Sequence, residues 1–491
     1  MSAMAVMTNP LALTIFVPLL GAAIIAFCGR WPNLREAVTL VTAAILAVLV
    51  WRQIPGVLAG ARPTLEIVEF LPGLGLTLAL EPLGMIFAAV ASGLWIVNSL
   101  YSIGYMRGNR ERHQTRYYSF FALSIASAMG LALAGNLFTL FVFYEALTLS
   151  TYPLVTHKGD AKAQAGGRVY MGVLLTTSIG LLLPAIIWTW AVAGTLDFAA
   201  GGILQGVVGG TSVGILLALY VFGIGKAAVM PVHYWLPAAM VAPTPVSALL
   251  HAVAVVKGGV FVVTKVVVYV FGVEFLASES SASWLLYAAG FTVVMASLVA
   301  LRQDNLKKRL AYSTVSQLSY VVLAVALFTP LGIIAAAMHI MAHAAGKITL
   351  FFAAGSIYTA AHKTEISQLD GIGKRMPVTM TAFAIGALAM IGLPLTGGFI
   401  SKWYLVMAGL EMASAFALTV LVLSTLLNTA YLLPIVHRAF FRPAAPGDGD
   451  HGEAPWPMVA ALAITAAITL LLFFAHAWPL DLAQAVMEVR P

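Results

Sequence analysis

The amino-acid sequence predicts an all-α polytopic membrane protein of about fourteen transmembrane helices, and three observations carry that reading. The 491 residues are 61% hydrophobic and only 9% charged, with a mean hydropathy of +0.95, whereas soluble domains carry about a quarter charged residues. Apolar runs of about 20 residues, the length that crosses a bilayer as a helix, recur from end to end. The basic residues fall almost entirely into alternate connections between those runs, as the positive-inside rule requires.

The runs lie near residues 9–28, 36–54, 77–101, 117–134, 137–155, 168–192, 212–232, 245–272, 284–301, 309–327, 330–360, 377–410, 413–440 and 456–478. The opening MSAMAVMTNPLALTIF has no basic stretch ahead of its apolar run, so the first segment is expected to remain as a span. The eleventh and twelfth runs exceed one straight crossing, so tilt, kinks or breaks are expected in both. Connections after odd-numbered runs hold Arg30, Arg35, Arg107, Arg110, Arg112, Arg116, Lys158, Lys162, Arg168, Arg302, Lys307, Lys308, Arg309, Lys363, Lys374, Arg375, Arg438 and Arg442. Those are 18 of the 26 Lys and Arg; the opposite side holds Arg52, Arg62 and Arg490, and five lysines lie inside runs. The odd connections are therefore expected in the cytoplasm, with both termini outside. This placement also accounts for the net charge of +7, so no nucleic-acid partner is implied.

Two runs are interrupted. Pro231 follows Lys226 in the seventh, and GLPLTGG (392–398) precedes Lys402 in the twelfth. Breaks at membrane depth are tolerated where they are buried in protein or line a cavity, and matched breaks point to internal repeats. These two runs are five apart, an odd number, so equivalent helices cross in opposite directions. Helices 4–8 and 9–13 thus read as an inverted repeat. The chain divides into residues 1–110 (helices 1–3), 111–275 (first repeat), 280–442 (second repeat) and 443–491 (the polar linker GDGDHGEA at 447–454 with helix 14).

Ionisable side chains inside spans are costly and mark function or a specific partner. The stretch from Val221 to Lys265 carries Lys226, His233, His251, Lys257 and Lys265 together with Pro231, Pro237, Pro243 and Pro245. Lys265 is about 20 residues into its helix, roughly 30 Å, and reads as a lysine that snorkels to the interface. Lys257, about 12 residues or roughly 18 Å in, is near the midplane, and Lys226, Lys347 and Lys402 are similarly deep. Glu145 is the acidic residue near the middle of a span, and Lys226 is the partner that would keep it charged. Such a pair serves either as a static tie between helices 5 and 7 or as a titrating switch, and the sequence leaves both open. His339, His343 and Lys347 recur at i, i+4 and i+8, placing them at 0°, 40° and 80° on one face of helix 11 at about 100° per residue. Histidine titrates near neutrality, so this face reads as a proton relay; structural histidines and a metal site are the alternatives, and the third ligand a metal needs is not evident. His251, one turn after Ser247, extends the same relay.

Other chemistry is excluded by pattern. Cys28 is the single cysteine, so disulfides and cysteine-ligated clusters within the chain are ruled out. GxxxxGK[ST], a strand–GxGxxG–helix context and CxxC are all missing, so no nucleotide or redox cofactor is expected. Driving energy must come from an ion gradient or a partner chain.

FYEALTLSTYPLVTH, GIGKAAVMPVHYWLPAAMVAPTPVSALLHAVAVVKGG, MHIMAHAAGKITLFF and GLPLTGGFISKWYL resemble the proton-conducting antiporter-like subunits. That family includes the large membrane subunits of respiratory complex I, membrane hydrogenases and Mrp-type cation/proton antiporters. The resemblance spans about residues 100–440 and is best to the D-type subunit of an Mrp antiporter. It implies fourteen helices with the inverted repeat, a place among other membrane subunits in a bacterial cytoplasmic (inner) membrane, and proton movement coupled to a monovalent cation, Na+. By position it assigns the helix-5 glutamate to Glu145, its lysine partner to Lys226, the central lysine to Lys257, the relay to His339, His343 and Lys347, and the terminal charged group to Lys402. The complex I subunit of this length usually carries glutamate at the position of Lys402, and the longest members add a lateral helix after the core. Both departures narrow the choice, and the first lowers the alternative, a proton-pumping subunit of a complex I-like NADH-quinone oxidoreductase or membrane hydrogenase with electron transfer in other chains.

Overall fold

The computed structural model describes residues 8–71, 73–444 and 451–488. The first seven residues, Arg490 and the GDGD of the linker lie outside the described residues. The chain is a helical bundle, and among the described residues ten helices are long and apolar enough to cross a membrane. The helices that position the site are α1 (Pro10–Phe27), α2 (Pro32–Trp51), α3 (Pro82–Gly108), α4 (Gln114–Ala132), α5 (Leu137–Val155), α6 (Ala161–Ala193) and α7 (Thr211–Gly223). They are followed by α8 (Thr244–Phe271), α9 (Ser280–Leu301), α10 (Leu306–Val325), α11 (Pro330–Ala361), α12 (Pro377–Ile391), α13 (Gly397–Glu411), α14 (Ala415–Phe441), α15 (Trp456–Phe474) and α16 (Ala477–Ala485).

The core sits on α8 and α11. Helix α8 is buried along its whole length and α11 nearly so, and α11 packs on α3, α8, α10, α12, α13 and α15. A bundle surface faces lipid, so helices whose whole circumference is apolar and buried must lie at its centre. Both central helices carry buried lysine and histidine. Of the tilt, kink or break expected in α11, the break is not there. It runs unbroken for 32 residues, about 48 Å. Its proline is at the first position, where the missing N–H removes no bond. The twelfth run does break, into α12 and α13.

One element escapes the all-α expectation. Between α2 and α3, β1 (Thr64–Leu71) pairs antiparallel with β2 (Leu74–Ala79), with Thr64 opposite Ala79 and Leu71 opposite Leu74. LGLTLA alternates with a period of two, and TLEIVEF does so except at Ile67–Val68, where the register shifts; this is the strand signature that hydropathy windows average away. Asn136 ties this hairpin to the bundle: its Nδ2 donates to Gly75 O at 2.9 Å, and its Oδ1 caps α5 by accepting from Thr139 N at 2.8 Å.

On the opposite, arginine-rich side, Glu36 meets Arg107 and Arg35, and Asp370 meets Arg438 at 3.0 Å. His157, just past α5, is buried there with neither ring nitrogen hydrogen-bonded among the described residues. Burial, reinforced by the Arg116 charge, pushes its pKa down to about 4. The folded state therefore prefers neutral imidazole while the unfolded chain takes up a proton below its ordinary value of 6.5. Stability should fall as pH drops from about 6.5 toward 4. The variant His157→Phe should flatten that fall, which thermal unfolding of the detergent-solubilised protein across this range will measure.

Candidate functional site

The seventh apolar run ends its regular helix at Gly223 and passes through a single turn at Gly225–Ala227 before Pro231. A break in lipid leaves backbone groups that must find partners in the protein. Here Trp235 Nε1 donates to Gly225 O at 2.9 Å, Lys226 N donates to Tyr144 OH at 3.2 Å, and Met230 N donates to Thr292 Oγ1 at 3.2 Å. The break aims Lys226 at α5. Its Nζ donates to Tyr144 O at 2.8 Å and to Thr148 Oγ1 at 2.5 Å, and lies 3.2 Å from the centre of the Tyr144 ring. Thus the expected Glu145–Lys226 contact is not closed. The carboxylate oxygens of Glu145 are buried without a hydrogen-bond partner among the described residues, although its charge reaches Lys226 electrostatically. The reason is local: Tyr144 O and Thr148 Oγ1 flank Glu145 on α5 and offer the ammonium two acceptors without a carboxylate.

The centre is a direct contact between the two buried helices, Lys257 Nζ of α8 against His343 Nδ1 of α11. Gly259 lets α8 reach the break, since a Cβ there would collide with the Lys226 carbonyl carbon. On α11 the predicted face forms, with the His339 and His343 rings stacked at 6.0 Å. His339 Nδ1 meets Ser401 Oγ at 2.9 Å and its Nε2 meets Gln317 Oε1 at 3.1 Å. Lys347 Nζ donates to Ser313 Oγ at 2.8 Å, and Tyr431 OH donates to the same oxygen at 2.9 Å. His251 is buried near this centre, its ring 4.7 Å from that of Phe351, but neither of its nitrogens is hydrogen-bonded among the described residues.

The far end is the second break. Helix α12 stops at Gly392, whose φ of +88° is the left-handed conformation that suits glycine and terminates a helix. The last carbonyls of a helix have no intrahelical partner and carry partial negative charge. Lys402 takes them: its Nζ donates to Met390 O and Ile391 O, both at 2.9 Å. Met390 O also accepts from Gln317 Nε2 and Asn428 Nδ2, each at 3.3 Å. Gln317 therefore joins His339 to the carbonyl that holds Lys402, while Asn428 contacts Tyr431 and so reaches Lys347 through Ser313. Six of the eight predicted residues thus fall into three hydrogen-bonded groups: Lys226 on α5; Lys257 with His343; and His339, Lys347 and Lys402 around Met390 O. Glu145 and His251 stand beside these groups without a direct bond.

Sequence reading missed the connecting groups Thr148, Ser313, Gln317, Ser401, Asn428 and Tyr431. The available signal was spacing, with Ser313 and Gln317 at i, i+4 on α10 and Asn428 and Tyr431 at i, i+3 on α14. Lys265 does not snorkel. It is buried and paired with Glu81 at 3.1 Å.

The family described as "NADH:quinone oxidoreductase/Mrp antiporter, TM" matches residues 134–428, more than half of the chain and all eight predicted residues. The chain belongs to this antiporter-like family. NADH-quinone oxidoreductase subunit N of Desulforudis audaxviator is 34% identical over 401 residues, covering 79% of this chain and 77% of that protein. The A/B component of a probable K(+)/H(+) antiporter from Rhizobium meliloti is 31% identical over 410 residues, which is 80% of this chain but 40% of that protein. Among solved structures, a chain of the Mrp complex from Dietzia sp. DQ12-45-1b has a TM-score of 0.87 at 23% identity, covering 98% of this chain and 97% of that one. A chain of the archaeal membrane-bound sulfane sulfur reductase has a TM-score of 0.84 at 24% identity, covering 97% and 98%. At these identities the two structures establish the shared fold, an Mrp-like polytopic membrane bundle.

The hold on Lys226 can be tested apart from transport. In this antiporter-like bundle Thr148→Val keeps the side-chain shape and removes the hydroxyl, so stability should fall by about 1–3 kcal/mol, the cost of leaving a buried polar group short of a partner. Thr148→Ser should restore it, as read by thermal unfolding in detergent.

Proposed function

We propose that the chain is the proton-translocating subunit of a multi-subunit monovalent cation/proton antiporter, with Na+ as the cation. The observation that carries this reading is the Lys257–His343 contact, which joins the two central helices and lies between a lysine held at each helix break. Protons pass along Glu145, Lys226, Lys257, His343, His339, Lys347 and Lys402, with His251 beside the centre. Like charges this deep repel strongly, because the surroundings screen them poorly. A proton arriving at one amine therefore favours release from its neighbour, and movement of Lys226 between Thr148 and Glu145 is the switch.

Fourteen crossings support the same reading. Helices α1 to α15 follow the fourteen apolar runs when α7 with its broken turn, and α12 with α13, are each taken as one crossing, and the short α16 lies beyond the last run. Residues 111–275 and 280–442 are then inverted halves, each with a broken helix whose lysine is held by carbonyl oxygen. Both termini lie on the outer face of a bacterial inner membrane. A cavity of about 390 Å³ fits this orientation. It is lined from the lysine-rich connections by Lys158, Lys162, Lys307 and Lys363, and Lys307 is within electrostatic reach of His251. This cavity is the cytoplasmic access, and the partners are further membrane subunits of the complex.

A second reading, a proton-pumping subunit of a complex I-like oxidoreductase, is favoured by the 34% identity to a protein named for that enzyme. Purification of the complex in mild detergent separates them, since flavin- or iron–sulfur-bearing partners belong to the second. Lys226→Ala and Glu145→Ala should each abolish cation-driven proton movement in everted vesicles; unchanged movement in a normally assembled complex would overturn the axis. Lys257→Met and His343→Ala should each slow transport, with the double variant no slower than the worse single one, because the two side chains act as one unit.

A further inference from the structure

A second group of ionisable side chains lies off this axis, at the end of α8 away from the lysine-rich connections. A cavity of about 490 Å³ opens there, lined by Arg62, Ala134, Phe198, Ala200 and Glu488, with Lys265, Tyr269 and Glu81 in its wall. Every lining segment belongs to an even-numbered connection or a helix end on the same side, the side holding few basic residues. The Glu81 side chain is 14% exposed and that of Lys265 behind it 1%. Glu81 Oε1 accepts from Lys265 Nζ at 3.1 Å and from Gly84 N at 2.9 Å, while Oε2 accepts from Tyr269 OH at 3.0 Å and from Leu83 N at 2.7 Å. Lys265 Nζ also donates to Ala134 O at 2.7 Å. As a helix cap Glu81 is satisfied by its two backbone donors, so the buried lysine is not needed for capping.

Lys265 lies eight residues beyond Lys257 on α8, about 12 Å along the axis. Phe261, midway, is one turn from each and faces the same side. Its ring is 5.5 Å from Lys265 Nζ and 5.1 Å from the ring of Phe87. Phe87, Phe261 and Leu131 are all fully buried, and Leu131 and Phe87 close on α8 at Gly258. From the cavity inward the order is a partly wet carboxylate, a dry ammonium, one apolar layer, and then the central lysine of the axis.

We propose that Lys265, Glu81 and Tyr269 form an outward-facing proton-exchange site, separated from Lys257 by the Phe87–Phe261 layer and connected to it when Phe261 swings aside. The proposal rests on the proton-axis reading above. In the step itself an N–H bond of the Lys265 ammonium breaks and an O–H bond forms on Glu81, leaving a neutral amine and a neutral carboxyl. Glu81 then releases the proton to cavity water, and Lys265 is reprotonated from the Lys257 side. Tyr269 keeps its proton and orients the carboxylate.

The test uses the assembled complex in native vesicles of both orientations. Ala200→Cys, in a Cys28→Ser background, should react with a membrane-impermeant maleimide from the outer face alone. Phe261→Ala should raise passive proton leak several-fold with no cation gradient, Phe261→Leu should not, and adding Lys265→Met to Phe261→Ala should return the leak to the wild-type level. If Phe261→Ala fails to assemble, Phe261→Val takes its place. Labelling of Ala200→Cys only from the inner face, or its absence, overturns the proposal. So does an assembled Phe261 variant without added leak, or a leak indifferent to Lys265→Met. Labelling and passive leak need no cation exchange, so their failure is distinct from failure of the transport assays on Lys226 and Glu145.

Discussion

Breaking a helix inside a bilayer frees carbonyl groups that lipid cannot satisfy, and both breaks in this chain are arranged around a lysine. At the second, Lys402 binds the two carbonyls that α12 leaves open, so the residue that satisfies the broken helix end is itself one of the buried amines. At the first, the freed backbone is taken up by Tyr144, Trp235 and Thr292, and Lys226 reaches across to a carbonyl of α5 instead. The interruptions and the buried ammonium groups therefore explain each other. A lysine at that depth without oxygen acceptors would cost several kcal/mol, and a broken helix without donors would cost a similar amount.

The same constraint fixes what surrounds the breaks. Gly392 must take φ of +88° to end α12, and Lys402 packs over it so closely that a Cβ would meet its Cδ at 2.5 Å. Gly259 serves α8 in the corresponding way against the Lys226 backbone. With both breaks fitted to the centre, α8 and α11 are left buried nearly end to end and touch through Lys257 and His343. The two central helices are thus joined through an amine and an imidazole rather than by a purely apolar seam.

The amines and imidazoles were legible in the sequence because a charge in an apolar run has few structural uses, and the three-residue face on α11 followed from helical periodicity alone. Their partners were less legible. Thr148, Ser313, Gln317 and Asn428 are ordinary in helices, and nothing local separates one that bonds a lysine from one that bonds the carbonyl four residues back in its own helix, as Thr264 and Thr349 do here. Glu81 and Lys265 are 184 residues apart, so their pairing could not be read from spacing, and Lys265 looked like a snorkelling side chain. The hairpin at residues 64–79 was lost because a 20-residue window erases a period of two.

The acceptors also differ in kind from one buried lysine to the next. A backbone carbonyl holds an ammonium but does not take its proton, and Lys402 rests wholly on such groups. Lys226 rests on one carbonyl and one hydroxyl, and Lys347 on a hydroxyl already bonded by Tyr431. Lys257 alone among the four faces an imidazole nitrogen, a base whose ordinary pKa lies near neutrality. At the two breaks the lysines rest on oxygens that accept hydrogen bonds, and the α8–α11 contact sets an amine against a base; on the proton-axis reading proposed above, charge waits at the breaks and crosses at that contact.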